Sequence, residues 1–435
     1  MRIRHIGAFA PRLAALALAV LVGTPGLATA QTPALTLEQV LNAARNNWDV
    51  SQLRHAASAA RADVEAADHA PFPTLSLKAS SIDLQNGVGD GDWLRDRRID
   101  KGVGLDWTWE RGNKRGLRTQ AAQLTANAAQ ADAQDGEMQQ LLAASGAFFD
   151  LSAAQEREQH VQAMADGTAQ IAAVAARRVG AGDLARQDAL RLEIESERAK
   201  GDVVAARLDR ERAAQSLNLL LGSAAAGATV RTEAQWPQVA EAQSDTEWSE
   251  TAIHDLVSAR PDVHAAVERV SAAQAALDVA SAQKKADVTW GVSLDHFPGT
   301  STSLLELRMQ MPLQYGYEFQ GETGRARAQL AAAEAALDKA RRAAELDVRA
   351  LLAQLRGAAS RSLSFDHDIL PRAREVAKQA EFAYEKGALG LSDLLDARRT
   401  LRAVDLDALG ARADHAKAAT AWRLRTQGAA LAQKD

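Results

Sequence analysis

Between Pro73 and Pro237 this chain contains no proline, and beyond Pro312 it holds only Pro371. A proline in a helix interior removes a hydrogen bond and clashes with the preceding turn, at a cost of ~3 kcal/mol. Two long stretches are therefore free to form helices well beyond the usual globular length. Composition agrees, since only 4% of the 435 residues are aromatic and Ala is abundant. Aromatic rings supply much of the buried area of compact cores, whereas Ala favours helix. From about Gly112 to Val179 the pattern predicts one helix of about 65 residues, or about 100 Å at 1.5 Å per residue. A turn at 180–184 leads to a return helix ending near Leu221. Helical sequence resumes at about Gly321, reaches a turn at 387–391 and runs back to the C-terminus.

A shorter helix precedes each strand pair. Thr36 and Gln39 form a capping box, and Leu35 can staple to Val40. That helix is expected to run to about Ala70 and to stop at Pro71 and Pro73. Pro261-Asp262 opens the other, to about Lys285.

After each short helix the period changes to two. Strands are predicted at about 73–84, 101–110, 286–297 and 303–315, with a Gly- and Asp-rich loop at 85–100. Leu75, Leu77, Val103, Leu105, Trp107, Trp109, Val288, Trp290, Val292, Leu294, Leu305, Leu307, Met309, Met311 and Leu313 fall on one face. Polar residues such as Asp106, Asp295, Glu306 and Arg308 fall on the other. About ten residues is the length of a tilted membrane-crossing strand, and apolar-out, polar-in alternation is the pattern of a transmembrane barrel. Trp93, Trp107, Trp109, Trp290, Tyr315 and Tyr317 stand where an interfacial girdle would be. Four strands cannot close a barrel, and lipid does not tolerate an open sheet edge. A membrane reading thus requires several chains, each giving four staves. A small soluble sheet packed on helices and a coiled-coil rod without a lumen are the competing readings.

The order helix, strand, strand, helix, turn, helix occurs twice, which makes the chain a two-fold internal repeat. Asp49-Val50 aligns with Asp262-Val263, Gly182 with Gly387, Leu184 with Leu389 and Asp188 with Asp393. The expected division is 31–221 for the first repeat, 222–250 for an irregular equatorial connector, and 251–435 for the second repeat and C-terminal segment.

Residues 1–30 read as a cleavable signal peptide. Arg2, Arg4 and Arg12 are followed by the apolar run Leu13 to Val22 and by Ala28-Thr29-Ala30, so a mature chain would begin at Gln31. A membrane anchor is the alternative, although the run is short of the ~20 residues a spanning helix needs. There is no Cys, which excludes disulfides, thiolate metal sites, a catalytic Cys and a lipoprotein anchor. The net charge of −5 argues against nucleic acid as a partner. No P-loop, Rossmann glycines, G-x-S-x-G or H-E-x-x-H occurs. The nine His are scattered, and His254 and His264 flank Pro261 rather than sharing one helix face. Asp90 and Asp92 lack the other ligands of a calcium loop. No enzyme activity, cofactor or bound metal is expected.

In this order the sequence resembles the TolC-like outer-membrane efflux proteins over essentially all of the mature chain. The features are Leu37-Glu-Gln-Val-Leu with Asn46-Asn47, Pro73-x-Leu-x-Leu, Arg260-Pro-Asp-Val, and Tyr384-x-x-Gly387 followed by Asp393-Leu-Leu-Asp-Ala-Arg398. Trp48 stands where the family usually has Pro. The resemblance implies a homotrimer with a 12-stranded barrel in outer-membrane lipid and an α-barrel of long antiparallel hairpins across the periplasm. It also implies a periplasmic adaptor and an inner-membrane proton-driven pump as partners. Gly180, Gly182, Leu184, Gly387, Leu389, Gly390 and Leu391 would form the tips that meet the adaptor, or the glycines would serve only to turn the chain. Asp393 and Asp396 match the family's acidic pore aperture, where three copies would favour cations; solvated charges at a helix start are the alternative. Asp188 and Tyr384 match positions that hold the aperture shut, but the basic partner of that link falls on Leu389. Glu110-Arg-Gly-Asn-Lys-Arg115 and Met311-Pro-Leu with Gly321-Glu-x-x-Arg325-Ala326 resemble the heavy-metal branch. The expected function is that of the outer-membrane channel of a tripartite efflux system, a passive export conduit across periplasm and outer membrane for divalent heavy-metal cations. A duct for protein or drug export and a soluble periplasmic coiled-coil scaffold are the alternatives.

Overall fold

The computed structural model describes residues 34–93, 96–222, 230–239, 248–299 and 301–432, with backbone only at 301–302 and 427–432. The expected signal peptide and much of the expected connector lie outside these residues. The first part of the chain forms α1 (Leu37–Ala44), α2 (Trp48–Ala67), β1 (Thr74–Ser80), β2 (Asp100–Trp109), α3 (Lys114–Ala181) and α4 (Arg186–Leu221). The second forms α5 (Glu250–Ser258), α6 (Pro261–Ala282), β3 (Val288–Phe297), β4 (Ser301–Gln310), α7 (Gln320–Ser364), a π turn (Phe365–Ile369), α8 (Leu370–Glu385) and α9 (Leu391–Ala432).

The single helix expected from Thr36 to Ala70 is two helices. Thr36 and Gln39 do cap α1 reciprocally, with the Gln39 amide donating to Thr36 Oγ1 at 3.4 Å and the Thr36 amide to Gln39 Oε1 at 3.0 Å. The break comes at Asn47, whose Oδ1 accepts from the Asp49 amide at 2.9 Å and so caps α2. Its Nδ2 donates to the Leu220 carbonyl at 2.9 Å, satisfying the C-terminal end of α4. A short polar side chain that bonds backbone competes with helix continuation, and here it closes two helix ends at once.

α3 is a single helix of 68 residues. The corresponding stretch of the second part is interrupted by the π turn just before Pro371. Proline lacks the N–H that the preceding turn would use, and a π turn re-spaces the hydrogen bonds around it. Buried positions along the shaft are mainly Ala, among them Ala126, Ala133, Ala144, Ala206, Ala344 and Ala411. The main core gathers Val40 of α1, Phe148, Phe149 and Leu151 of α3, Leu217 of α4 and Ala416 of α9. Residues 230–239 contain no helix or strand and lie along α3. Thr232 is bracketed by Gln155 and Ser152, and Trp236 donates to Glu156 at 2.6 Å while stacking on Phe149.

The four strands make one antiparallel sheet in the order β1-β2-β3-β4. β2 pairs with β3, which joins the two strand pairs. The register aligns Leu77, Val103, Leu294 and Leu305 in one row, and Leu75, Leu105, Val292 and Leu307 in the next. Trp107, Trp290 and Met309 make a third. Three expectations need correction. β1 ends at Ser80, because Ser81 takes a left-handed φ of 59°. β4 ends at Gln310, so Met311 and Leu313 are exposed but outside the strand; Pro312 has no N–H for the ladder. Val288 is buried at the end of β3 and leaves the exposed apolar face.

Candidate channel wall and helix tips

On the sheet, alternation places the apolar rows on one side and Ser76, Asp106, Ser293, Glu306 and Arg308 on the other. The polar side is built around glycines. Asp106 Oδ1 lies 2.3 Å from where a Gly291 Cβ would sit, and Asp295 Oδ1 lies 2.1 Å from a Gly102 Cβ. The missing Cβ atoms leave room for two carboxylates to lie across the neighbouring strand. Asp106 then accepts from Arg308 at 2.5 Å, and Asp295 accepts from Ser293 at 2.7 Å. The apolar side remains uncovered, with Leu75, Leu77, Trp109, Leu305, Leu307 and Met309 all exposed. Val103, Leu105, Trp107, Trp290 and Leu294 are exposed as well. Neither outer edge, of β1 or of β4, has a strand partner among the described residues.

The two tips are made in the same way. Gly182 and Gly387 adopt left-handed φ values of 83° and 75°. The Asp183 amide donates to the Arg178 carbonyl at 2.9 Å, and the Ala388 amide to the Ala383 carbonyl at 2.9 Å. Each is the wide 6→1 bond that closes a helix over a left-handed residue. Gly180 lies inside α3 and needs no such conformation. Between the tips Leu391 and Leu192 are buried with Ala175, flanked by Leu184, Tyr384 and Leu395. Leu391 therefore points into the tip core rather than outward, Leu184 is half-buried against it, and Leu389 is half-buried nearby. Gly390 stays exposed beside Asp393.

Asp188 and Asp393 occupy the first turns of α4 and α9, where the helix dipole favours a negative charge. Asp396 lies one turn beyond Asp393 on the same face and is 73% exposed. Its carboxylate meets Arg399 at 3.5 Å. Asp188 meets Arg191 of its own helix at 3.9 Å, while Tyr384 packs in the tip core, so within one chain these two are not linked to each other.

Sequence reasoning missed the pairs that join the hairpins just above the tips. Arg399 of α9 contacts Glu195 of α4, and Arg402 meets Asp202 at 2.5 Å. Within the second hairpin itself, Arg398 meets Glu381 of α8 at 2.6 Å. The available signal was a basic cluster one turn after Asp396. Glu195, Glu381, Arg398, Arg399 and Arg402 border a cavity of about 280 Å³ between the hairpins, with Ile171, Leu192 and Leu395 as its apolar wall. Exposed pairs contribute only ~0–1 kcal/mol each, against ~1.5–3 kcal/mol for burying one Leu. Leu192 and Leu391 carry more of the tip than the charges do.

Deeper in the shaft Arg260 is buried between Asp262 at 2.9 Å and Asp347 at 2.6 Å. Burial disfavours its charge, but the two carboxylates prevail and raise its pKa. Asp135 stands in the same cluster with its pKa raised by burial first and by Asp262 second. Among the described residues no group of three His, Asp or Glu is placed to hold a metal, and no helix is long and apolar enough to cross a membrane.

A long helical shaft ending in one four-stranded sheet is the fold of outer-membrane channels. The CmeC outer-membrane channel of Campylobacter jejuni superposes with a TM-score of 0.75, covering 90% of this chain and 86% of that one at 15% identity. The chain belongs to the outer membrane efflux protein family of TolC-like channels, whose model matches residues 40–223 and 252–424. It is 26% identical over 322 residues to the cobalt-zinc-cadmium resistance protein CzcC of Cupriavidus metallidurans, covering 72% of this chain and 73% of the relative. It is 29% identical over 403 residues to protein CyaE of Bordetella pertussis, covering 89% and 80%. The family is one of efflux channels rather than enzymes.

Proposed function

We propose that three copies of this chain join their sheets edge to edge into a 12-stranded barrel in the outer membrane, and that their helical hairpins continue it as an α-barrel through the periplasm. The observation that carries this reading is the sheet itself. It has two unpartnered edges and an uncovered apolar face, and its 10-residue strands β2, β3 and β4 match the hydrocarbon thickness. Closure with sister chains satisfies the edges, and lipid covers the face. The polar side with Asp106, Glu306 and Arg308 then lines a wet lumen, and the two parts of the chain act as structural repeats around it.

The chain enters the periplasm by a cleaved signal peptide, residues 1–30, and carries no lipid anchor. The tips at Gly180–Leu184 and Gly387–Gly390 face a periplasmic adaptor. Asp393 and Asp396 ring the pore there and favour cations. Asp188 and Tyr384 would have to find their partners across chains, since they do not meet within one. The conduit is passive, and a proton-driven inner-membrane pump supplies the energy. Its cargo is divalent heavy-metal cations, a reading supported by the CzcC relative and by exposed, weakly paired Asp396.

The test is conductance of the purified protein in planar bilayers, with Asp393→Ala/Asp396→Ala as comparison. Channels should appear, with cation preference lowered in the variant. A deletion strain should become sensitive to zinc, cobalt or cadmium. Unchanged selectivity removes the aperture assignment, and unchanged metal sensitivity removes the cargo.

A further inference from the structure

Residues beside the connector and the upper helices of the second hairpin enclose a second cavity, of about 330 Å³, whose lining shares no residue with the tips or the sheet. That volume falls in the range of small-ligand pockets. Trp248 and Trp422 form one wall, edge to face with centroids 4.9 Å apart. Leu352 and Leu355 of α7 form another. α9 contributes His415, which is 1% exposed and whose Nε2 has no hydrogen-bond partner among the described residues.

An unpaired buried polar atom costs ~1–3 kcal/mol. The buried positions around it on α9 are Ala411, Ala413, Ala416 and Ala418, so packing alone does not call for an imidazole here. Burial pushes its pKa down. With no accessible surface at Nε2, the ring backs the cavity wall rather than reaching a ligand. Arg423, also on the lining, is exposed and pairs with no carboxylate among the described residues. The cavity thus combines flat apolar walls and one unneutralised guanidinium.

We infer that this cavity binds a small aromatic carboxylate, with its ring against the indoles and its carboxylate on Arg423. The walls supply the area and suit a planar ring. Arg423 supplies a charge-assisted, fork-shaped contact that a neutral ligand cannot use. A bound molecule would tie Trp248, which precedes α5, to α7 and α9.

The test is titration of the full chain in detergent with 4-hydroxybenzoate, read by calorimetry and by tryptophan fluorescence. One saturable site per chain is expected, with most of the fluorescence change lost in Trp422→Phe. Arg423→Gln, an exposed change that leaves the fold intact by circular dichroism, should weaken binding about tenfold. 4-Hydroxybenzyl alcohol, lacking the carboxylate, should bind about tenfold more weakly than 4-hydroxybenzoate. No saturable binding, equal affinity for the alcohol, or unchanged affinity in Arg423→Gln would overturn the assignment.

Discussion

In the helical shaft Phe148, Leu151 and Leu217 are at most 1% exposed, whereas in the sheet Leu77 and Leu307 are 79% and 78% exposed. Both regions obey the same hydrophobic arithmetic of about 25 cal/mol per Å² buried. The shaft satisfies much of it within one chain by pressing Ala-lined helices together around a few large side chains. The sheet leaves it unsatisfied, and leaves two rows of backbone donors and acceptors open as well. In the proposed channel the difference separates what one chain can fold from what needs lipid and further chains.

Phe148→Ala should give the largest loss. It empties the main core, at a cost of ~3–5 kcal/mol, seen as a lowered unfolding midpoint in detergent. An unchanged midpoint would mean that the shaft is held elsewhere. Leu307→Arg should cost ~2–4 kcal/mol if that side meets the bilayer midplane. It should reduce the yield of assembled protein on native gels, while Glu306→Gln on the opposite side should not. Equal behaviour of the two would erase the contrast between the faces.

At the tips, Gly182→Ala and Gly387→Ala should each cost ~1–2 kcal/mol, because both positions hold a left-handed conformation. Gly180→Ala, inside α3, should be neutral or slightly stabilising. Thermal melts of the three variants would show whether the glycines matter as turns. Smallest is the effect of Asp135. Its raised pKa means that its contribution to stability is fully present below the ordinary Asp pKa and is lost as pH rises through the native value. Asp135→Asn should flatten the fall in stability from acid to neutral pH and raise the midpoint at pH 7. A steeper fall in the variant would place the carboxylate in a favourable ion pair instead.

The strand faces were legible because alternation is a local signal, present in every pair of residues from Leu75 to Leu77 and from Val103 to Trp109. The long helices were legible because proline is absent from them. What escaped the sequence depends on partners distant in the chain. Asn47 breaks the first helix while bonding Leu220, 173 residues away. Arg399 finds Glu195 at a separation of 204 residues. Met311 and Leu313 continued the apolar alternation, but Pro312 between them removed the ladder. Leu391, expected at the tip surface, is buried because the first turn of α9 rests on Leu192 of the other hairpin.

In the proposed channel the open edges of β1 and β4 are joined between copies into a closed ring. The chain has no Cys, so paired substitutions can be scanned between Thr74, Ser76 or Lys78 on β1 and Glu306, Arg308 or Gln310 on β4. Oxidised in outer membranes and run without reductant, at least one pair should give disulfide-linked dimers and trimers and nothing larger. Monomers alone from every pair, or a ladder continuing beyond three chains, would contradict it.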